Sequence, residues 1–89
     1  MHTIAGWHID MEFLEDDSHT KSAALLRLSD GAELRSHGQS KRHPSDPEQQ
    51  LVGEEIAAAR ALNDLARQLL DKASGEISTS THRESHLRQ

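Results

Sequence analysis

The first part of the chain alternates between apolar and polar positions with a period of two residues. Residues 7–14 place apolar side chains on one side and charged or imidazole side chains on the other, which is typical of a strand with one solvated face. The apolar side consists of Trp7, Ile9, Met11 and Phe13. Residues 21–28 alternate less regularly and are predicted to form a second strand. The acidic segment 15–19 between them is predicted to be a turn.

Residues 29–31 predict a hairpin, because an Asp-Gly pair between two apolar runs accommodates the positive φ that such a turn needs. A third strand is predicted over residues 33–41, although Ser36, Gly38 and Ser40 occupy its core-facing side. Small residues there are compatible with a strand if a helix lies close against the sheet, since glycine in a strand often marks close approach of another backbone.

The second half of the chain changes to a helical period. Ser45 or Asp46 is predicted to cap a helix that has Pro47 early in its first turn, continues to about Ala73 and ends at Gly75. Apolar residues recur at spacings of three and four and predict the buried stripe. The stripe comprises Val52, Ile56, Ala59, Leu62, Leu65, Ala66, Leu69 and Ala73.

The predicted fold is therefore α+β, a three-stranded antiparallel meander followed by one long helix (β-β-β-α), with a possible short C-terminal helix near residues 77–81. We expect one domain over residues 1–82 and a flexible tail over 83–89. A helix of about 22 residues would be about 33 Å long and would extend about one turn past its sheet. Leu69, Leu70 and Ala73 lie in that extension and are predicted to contact a second subunit of a homodimer.

Composition narrows the class of protein. The chain has 89 residues, no cysteine, and Trp7 and Phe13 as its only aromatic residues. No disulfide or thiolate metal site is possible, and no signal peptide or membrane span is recognisable. These features predict a cytoplasmic protein that does not associate with membranes.

The sequence shows no catalytic motif. It lacks a glycine-rich phosphate loop, a zinc-protease HExxH motif and a nucleophile elbow. Seven histidines are present, but they are dispersed; His82 and His86 are spaced to share a helical face, yet they lie in a polar terminal segment that is expected to be solvated. We therefore predict a protein without enzymatic activity, small-molecule substrate, cofactor or metal.

Charge is distributed unevenly along the chain. Residues 1–19 contain five acids and neither Lys nor Arg, whereas residues 20–43 contain five bases and two acids. Most of these bases fall on the outward side of the second and third strands, where they could contact RNA phosphates. The set is Lys21, Arg27, Arg35, His37, Lys41 and Arg42. Alternatively, the same bases only balance the acidic first strand across the sheet.

The order of motifs resembles a family of small actinobacterial proteins known as domain of unknown function 1876. The motifs are Thr20-Lys21 to Leu26-Arg27, Gly38, Pro44-x-Asp46, Val52-Gly53-Glu54-Glu55-Ile56-x-x-Ala59-Arg60-Ala61-Leu62-x-Asp64-Leu65, and Thr81-His82. The resemblance implies a compact α+β homodimer without enzymatic activity. It also implies a fold similar to double-stranded-RNA-binding domains and to ribosome hibernation-promoting factors.

Two functional hypotheses follow. In the first, the protein is a noncatalytic stress-type factor that associates with the ribosome or structured RNA through the basic strand residues. In the second, it is a homodimeric adaptor that binds a basic partner protein through an acidic helix face. That face would consist of Glu54, Glu55, Asp64 and Asp71.

Overall fold

The computed structural model describes residues 4–41 and 50–87, with side chains described for 4–41 and 51–79. Three strands, β1 (His8–Glu15), β2 (His19–Arg27) and β3 (Glu33–Lys41), precede one helix, α1 (Gln50–Leu87). The strands form an antiparallel sheet in the order β1-β2-β3. The predicted α+β meander with one long helix is confirmed.

Both turns form as their residues predict. Between β1 and β2, the Asp16 carboxylate accepts backbone hydrogen bonds from Ser18 at 2.9 Å and His19 at 2.7 Å. These two bonds, that of Ser18 first, hold the pKa of Asp16 below its ordinary value. Between β2 and β3, Gly31 adopts a φ of +89°, and the backbone amide of Leu28 donates to the carbonyl of Ala32 at 2.9 Å.

The helix lies unusually close to the sheet, and small residues on β2 and β3 make this possible. A Cβ atom on Gly38 would overlap the carbonyl oxygen of Ala57 and would lie 2.6 Å from the backbone nitrogen of Ala61. The buried hydroxyl of Ser22 donates to the Ala57 carbonyl at 2.7 Å, and that of Ser36 donates to the Ala61 carbonyl at 2.8 Å. The predicted close approach at Gly38 is confirmed.

The buried face of α1 differs from the predicted stripe. Among the described side chains of α1, Ala57, Ala61 and Leu65 are buried, and together with Ala24 and Leu26 of β2 they form the core. Of the predicted stripe only Leu65 is buried and Leu69 half-buried, whereas Val52, Ile56, Ala59, Leu62, Ala66 and Ala73 are exposed. The prediction was wrong because it maximised apolar side-chain size, while the serines and Gly38 accept only alanine-sized neighbours.

The helix is also longer than predicted. It continues through Gly75 to Leu87, a length of 38 residues or about 57 Å, so Gly75 does not end it. One isolated glycine destabilises a helix by about 1 kcal/mol relative to alanine. The helical turns on both sides of Gly75 can offset this cost. The helical backbone thus enters segment 83–89, which the sequence predicts to be a tail. The predicted cap residues 45–47 lie outside the described residues.

The first strand is only partly covered. Ile9, Met11 and Phe13 pair with Leu26, Ala24 and Ser22 and therefore share the helix-facing side of the sheet. The helix, however, packs mainly on β3 and then on β2. Met11 is half-buried and packs against the core, but Trp7 and Ile9 remain 54% and 50% exposed.

Candidate nucleic-acid interface

The sheet face turned away from α1, here called the open face, carries the predicted basic residues. Residues that face the helix on β2 and β3 are mostly buried, and the alternate positions between them point outward. Lys21 and Arg27 on β2, and Arg35, His37 and Lys41 on β3, all occupy these outward positions and are exposed. The structure therefore brings five of the six predicted contact residues onto one surface. Arg42 lies outside the described residues.

One end of the open face is internally paired. Arg27 and Glu33 are cross-strand partners, and the Arg27 Nε lies 3.0 Å from the Glu33 carboxylate. Arg35 is two residues along β3 from Glu33, and its guanidinium lies 4.0 Å from the same carboxylate. Glu33 was not singled out from the sequence. The Asp-Gly hairpin could have identified Glu33 from the sequence, because a turn at residues 29–31 places Arg27 opposite Glu33.

The other end of the open face lies beside the acidic β1–β2 turn, where Lys21 interacts electrostatically with Asp16 without forming a direct ion pair. Lys21 pairs across the sheet with Gln39, and Lys41 pairs with His19. Among the described residues, neither Lys21 nor Lys41 forms an ion pair. His37 lies between Arg35 and Lys41 along β3, opposite the small side chain of Ala23. Arg35 and Lys41 are about 20 Å apart along an extended strand.

The first strand gives the open face an acidic border. Asp10 pairs with Leu25 and Glu12 pairs with Ala23, so both carboxylates lie beside apolar residues rather than opposite a base. The face thus has acidic residues on β1, the apolar Ala23 and Leu25 at the centre of β2, and basic residues at both ends of β2 and along β3. The alternative that the bases balance the first strand finds no direct ion pair to Asp10 or Glu12 among the described residues.

The acidic residues of the second hypothesis are less uniformly available. Glu54 and Asp64 are half-buried beside the sheet, whereas Glu55 and Asp71 are exposed. The Asp64 carboxylate also accepts from the amide of Gln68 at 3.0 Å and forms an ion pair with Arg67. These contacts reduce the negative charge that α1 presents to a partner protein.

The predicted dimer residues line an open apolar groove between the start of β1 and the C-terminal half of α1. The groove has a volume of about 650 Å³ and is bordered by Trp7, Leu28, Leu69, Leu70 and Ala73. Leu69 also packs against the core of its own chain, while Leu70 and Ala73 are exposed. Lys72 lines the same groove, and its hydrogen bond to the Glu76 carboxylate raises the pKa of the ammonium group.

The described residues show neither a metal cluster nor a membrane span. Within residues 4–41 and 51–79, no three His, Asp or Glu side chains converge closely enough to hold an ion. No helix in the part of the chain that the structure describes is long and apolar enough to cross a bilayer. The side chains of His82 and His86 lie outside that part.

Comparison with known proteins now places the chain in a family. The family model described as Rv2632c-like matches residues 5–86. The chain belongs to the Rv2632c-like family. Its fold is shared with the crystal structure of Rv2632c, at a TM-score of 0.82 and 36% sequence identity over 91% of this chain and 95% of that one.

Two similar proteins come from Mycobacterium tuberculosis. The uncharacterised protein Rv2632c of Mycobacterium tuberculosis is 38% identical over 74 residues, which is 83% of this chain and 78% of that protein. The uncharacterised protein MT1780, also of M. tuberculosis, is 30% identical over 86 residues, covering 97% of this chain and 90% of that protein. These matches confirm that the chain resembles small uncharacterised proteins.

Proposed function

We propose that the protein acts by binding structured RNA, ribosomal RNA included, and that it does so without catalysis. The observation that supports this proposal is the set of exposed bases on the outward side of β2 and β3, which carboxylates of the described residues pair only in part. Lys21 and Lys41 form no ion pair among the described residues, and Arg35 lies 4.0 Å from the Glu33 carboxylate that Arg27 contacts at 3.0 Å, so these three bases carry most of the positive charge available to phosphate. His37 lies between Arg35 and Lys41 on the same side of β3 and adds a hydrogen-bond donor.

The helix side of the molecule is a poorer surface for RNA. Exposed acids such as Glu55 and Asp71 would repel phosphate. The open face also lacks both large aromatic side chains of the chain, since neither Trp7 nor Phe13 lies on it. Binding is therefore expected to depend on phosphate and shape rather than on base sequence. The similarity of this fold to double-stranded-RNA-binding domains and hibernation factors, which the sequence resemblance implies, supports the same class of target.

Salt dependence provides the first test. Three phosphate contacts predict a slope of about −2.7 for the logarithm of affinity against the logarithm of salt concentration on a duplex. Fluorescence anisotropy with a labelled RNA hairpin, between about 50 and 200 mM salt, measures this slope. Cosedimentation with ribosomes at the lower salt concentration tests the ribosomal target. Absence of binding to both at low salt would contradict the proposal.

A matched pair of variants tests which surface binds. Arg35→Gln combined with Lys41→Gln removes two charges from the open face and should reduce the slope by about two. Arg67→Gln is the control, because Arg67 is 73% exposed on the helix and Arg35 is 70% exposed on the open face. The control should retain the slope of the unmodified protein. An equal loss of slope per charge removed in the two variants would assign the binding to overall charge rather than to the open face.

A further inference from the structure

The face of α1 that points away from the sheet carries a second apolar row. Its members recur at alternating spacings of four and three residues from position 52 to position 77, and all are exposed. We call this row the seam. It consists of Val52, Ile56, Ala59, Asn63, Ala66, Leu70, Ala73 and Ile77.

A helix that covers a sheet on one side normally presents polar residues on its other side. Ala57, Ala61 and Leu65 of the inner face of α1 pack in the core, whereas the apolar residues of the seam do not belong to it. Leu70 and Ile77 are 70% and 66% exposed, well beyond the incidental exposure of a core residue. The seam is therefore a separate apolar surface that lacks a partner within the described chain.

The repeat is that of a two-stranded coiled coil. Spacings of four and three place apolar residues at the a and d positions of successive heptads, and the seam continues for more than three heptads. Ile56, Leu70 and Ile77 occupy a positions, and two of these three are β-branched residues, which favour two strands at a. The d positions hold the smaller residues Val52, Ala59, Ala66 and Ala73. The remaining a position holds Asn63, a residue that at a single a position fixes register and oligomeric state.

Charges beside the seam indicate which way the two helices run. In a parallel pair, the residue before an a position faces the residue five places later in the partner helix. This would set Glu55 against Arg60 of the second copy, whose guanidinium also donates to the Gln39 carbonyl of its own sheet at 2.6 Å. In an antiparallel pair, residues of the same flank meet, so Arg60 and Arg67 would face bases and Glu55 and Glu76 would face acids. Only the parallel arrangement therefore places an acidic residue opposite a basic one.

We propose that the seam pairs with the seam of a second copy of this chain, forming a parallel two-helix coiled coil. The two sheets then lie on the outer sides of a four-layer dimer, with both open faces exposed. Leu70 and Ala73, which the sequence predicts as dimer contacts, belong to the seam, and Leu69 lies on its flank. The proposal depends on α1 alone and does not require RNA binding.

Sedimentation equilibrium of the unmodified protein and two variants tests the proposal. The unmodified chain should have twice the 9.9 kDa mass of one chain at high micromolar concentration. Leu70→Glu should raise the dimer dissociation constant by about 100-fold or more, because it buries an unpaired charge in each helix. Leu14→Glu is the matched control, since Leu14 is 73% exposed on β1 outside the seam, and it should remain dimeric.

Far-UV circular dichroism establishes that the variants remain folded, which is expected because both leucines are exposed in the subunit. A single-chain mass for the unmodified protein, or a Leu70→Glu dimer as tight as that of the control, would overturn the proposal.

The relative orientation of the two helices has a test of its own. Glu55→Arg should weaken the dimer about tenfold, and adding Arg60→Glu should restore it; no restoration would overturn the parallel arrangement. RNA affinity of monomeric Leu70→Glu, measured separately, distinguishes failure of the seam from failure of RNA binding.

Discussion

The inner and outer faces of α1 differ in a way that reverses the usual amphipathic helix. The inner face contacts the sheet through Ala57 and Ala61, whose carbonyls also accept hydrogen bonds from buried serines. The outer face carries larger apolar residues, among them Ile56 and Leu70, in exposed positions. Small residues are therefore found where the backbones approach closely, whereas the larger apolar residues Ile56 and Leu70 lie on the exposed face.

The inner face stabilises the fold by close fit more than by apolar area. The residues at the contact between α1 and the sheet lose little side-chain entropy on folding. Alanine and glycine have none to lose, and serine has little. Hydrogen bonds from β2 and β3 to α1 set the distance between the layers. This difference predicts that substitutions of equal size will have unequal effects on the two faces.

The largest effect is expected at Gly38. Gly38→Ala places a Cβ against backbone atoms of Ala57 and Ala61, which cannot rotate away, so β3 and α1 must separate. We expect a loss of about 3 kcal/mol in the free energy of unfolding, at the upper end of overpacking costs. Urea denaturation measures it. Gly75→Ala is the control, because its new Cβ meets open space, and it should stabilise the helix by about 1 kcal/mol. A neutral Gly38→Ala would refute the close contact.

The same methylene groups added to each face of α1 should act in opposite directions. Ala61→Leu overpacks a fully buried site and should cost about 2 kcal/mol. Ala59→Leu adds the same side chain to the exposed seam, where it should leave the subunit folded and strengthen the dimer. Denaturation and sedimentation of the two variants measure these effects. Similar destabilisation by both would remove the distinction between the faces.

A smaller effect is expected from the buried hydroxyls. Ser36→Ala removes the donor to the Ala61 carbonyl and leaves that acceptor with fewer partners, at a cost of about 1 kcal/mol. Ser18→Ala, in the exposed turn, is the comparison and should change stability by less than about 0.5 kcal/mol. Equal values for the two variants would show that the hydroxyl does not help to hold the layers together.

The sequence predicted the local structure well, because turn chemistry and alternation are properties of neighbouring residues. The Asp30-Gly31 hairpin and the bounds of β3 illustrate this. The sequence did not predict which face of α1 contacts the sheet. Both faces of that helix are apolar, and the hydrophobic period alone cannot show which of them is buried. The serines on β2 and β3 held the missing information, since buried hydroxyls require backbone acceptors and therefore a close helix.

The open face could be predicted in outline for the same reason. Alternation alone placed Lys21 and Arg35 outward. The neutralisation of Arg27 by Glu33 required the register of two strands. The groove beside Trp7 could not be predicted, because it arises from where α1 lies across the sheet, and that position depends on contacts distant in sequence.

Trp7 provides a built-in optical reporter. It is the only tryptophan in the chain, and it borders the groove while half of its surface remains in contact with solvent. Its fluorescence in the free subunit should therefore have the red-shifted maximum of a hydrated indole, and any molecule that enters the groove should displace water and shift the emission to shorter wavelengths. Occupancy of this surface can thus be followed by light alone, without a label and without altering the protein.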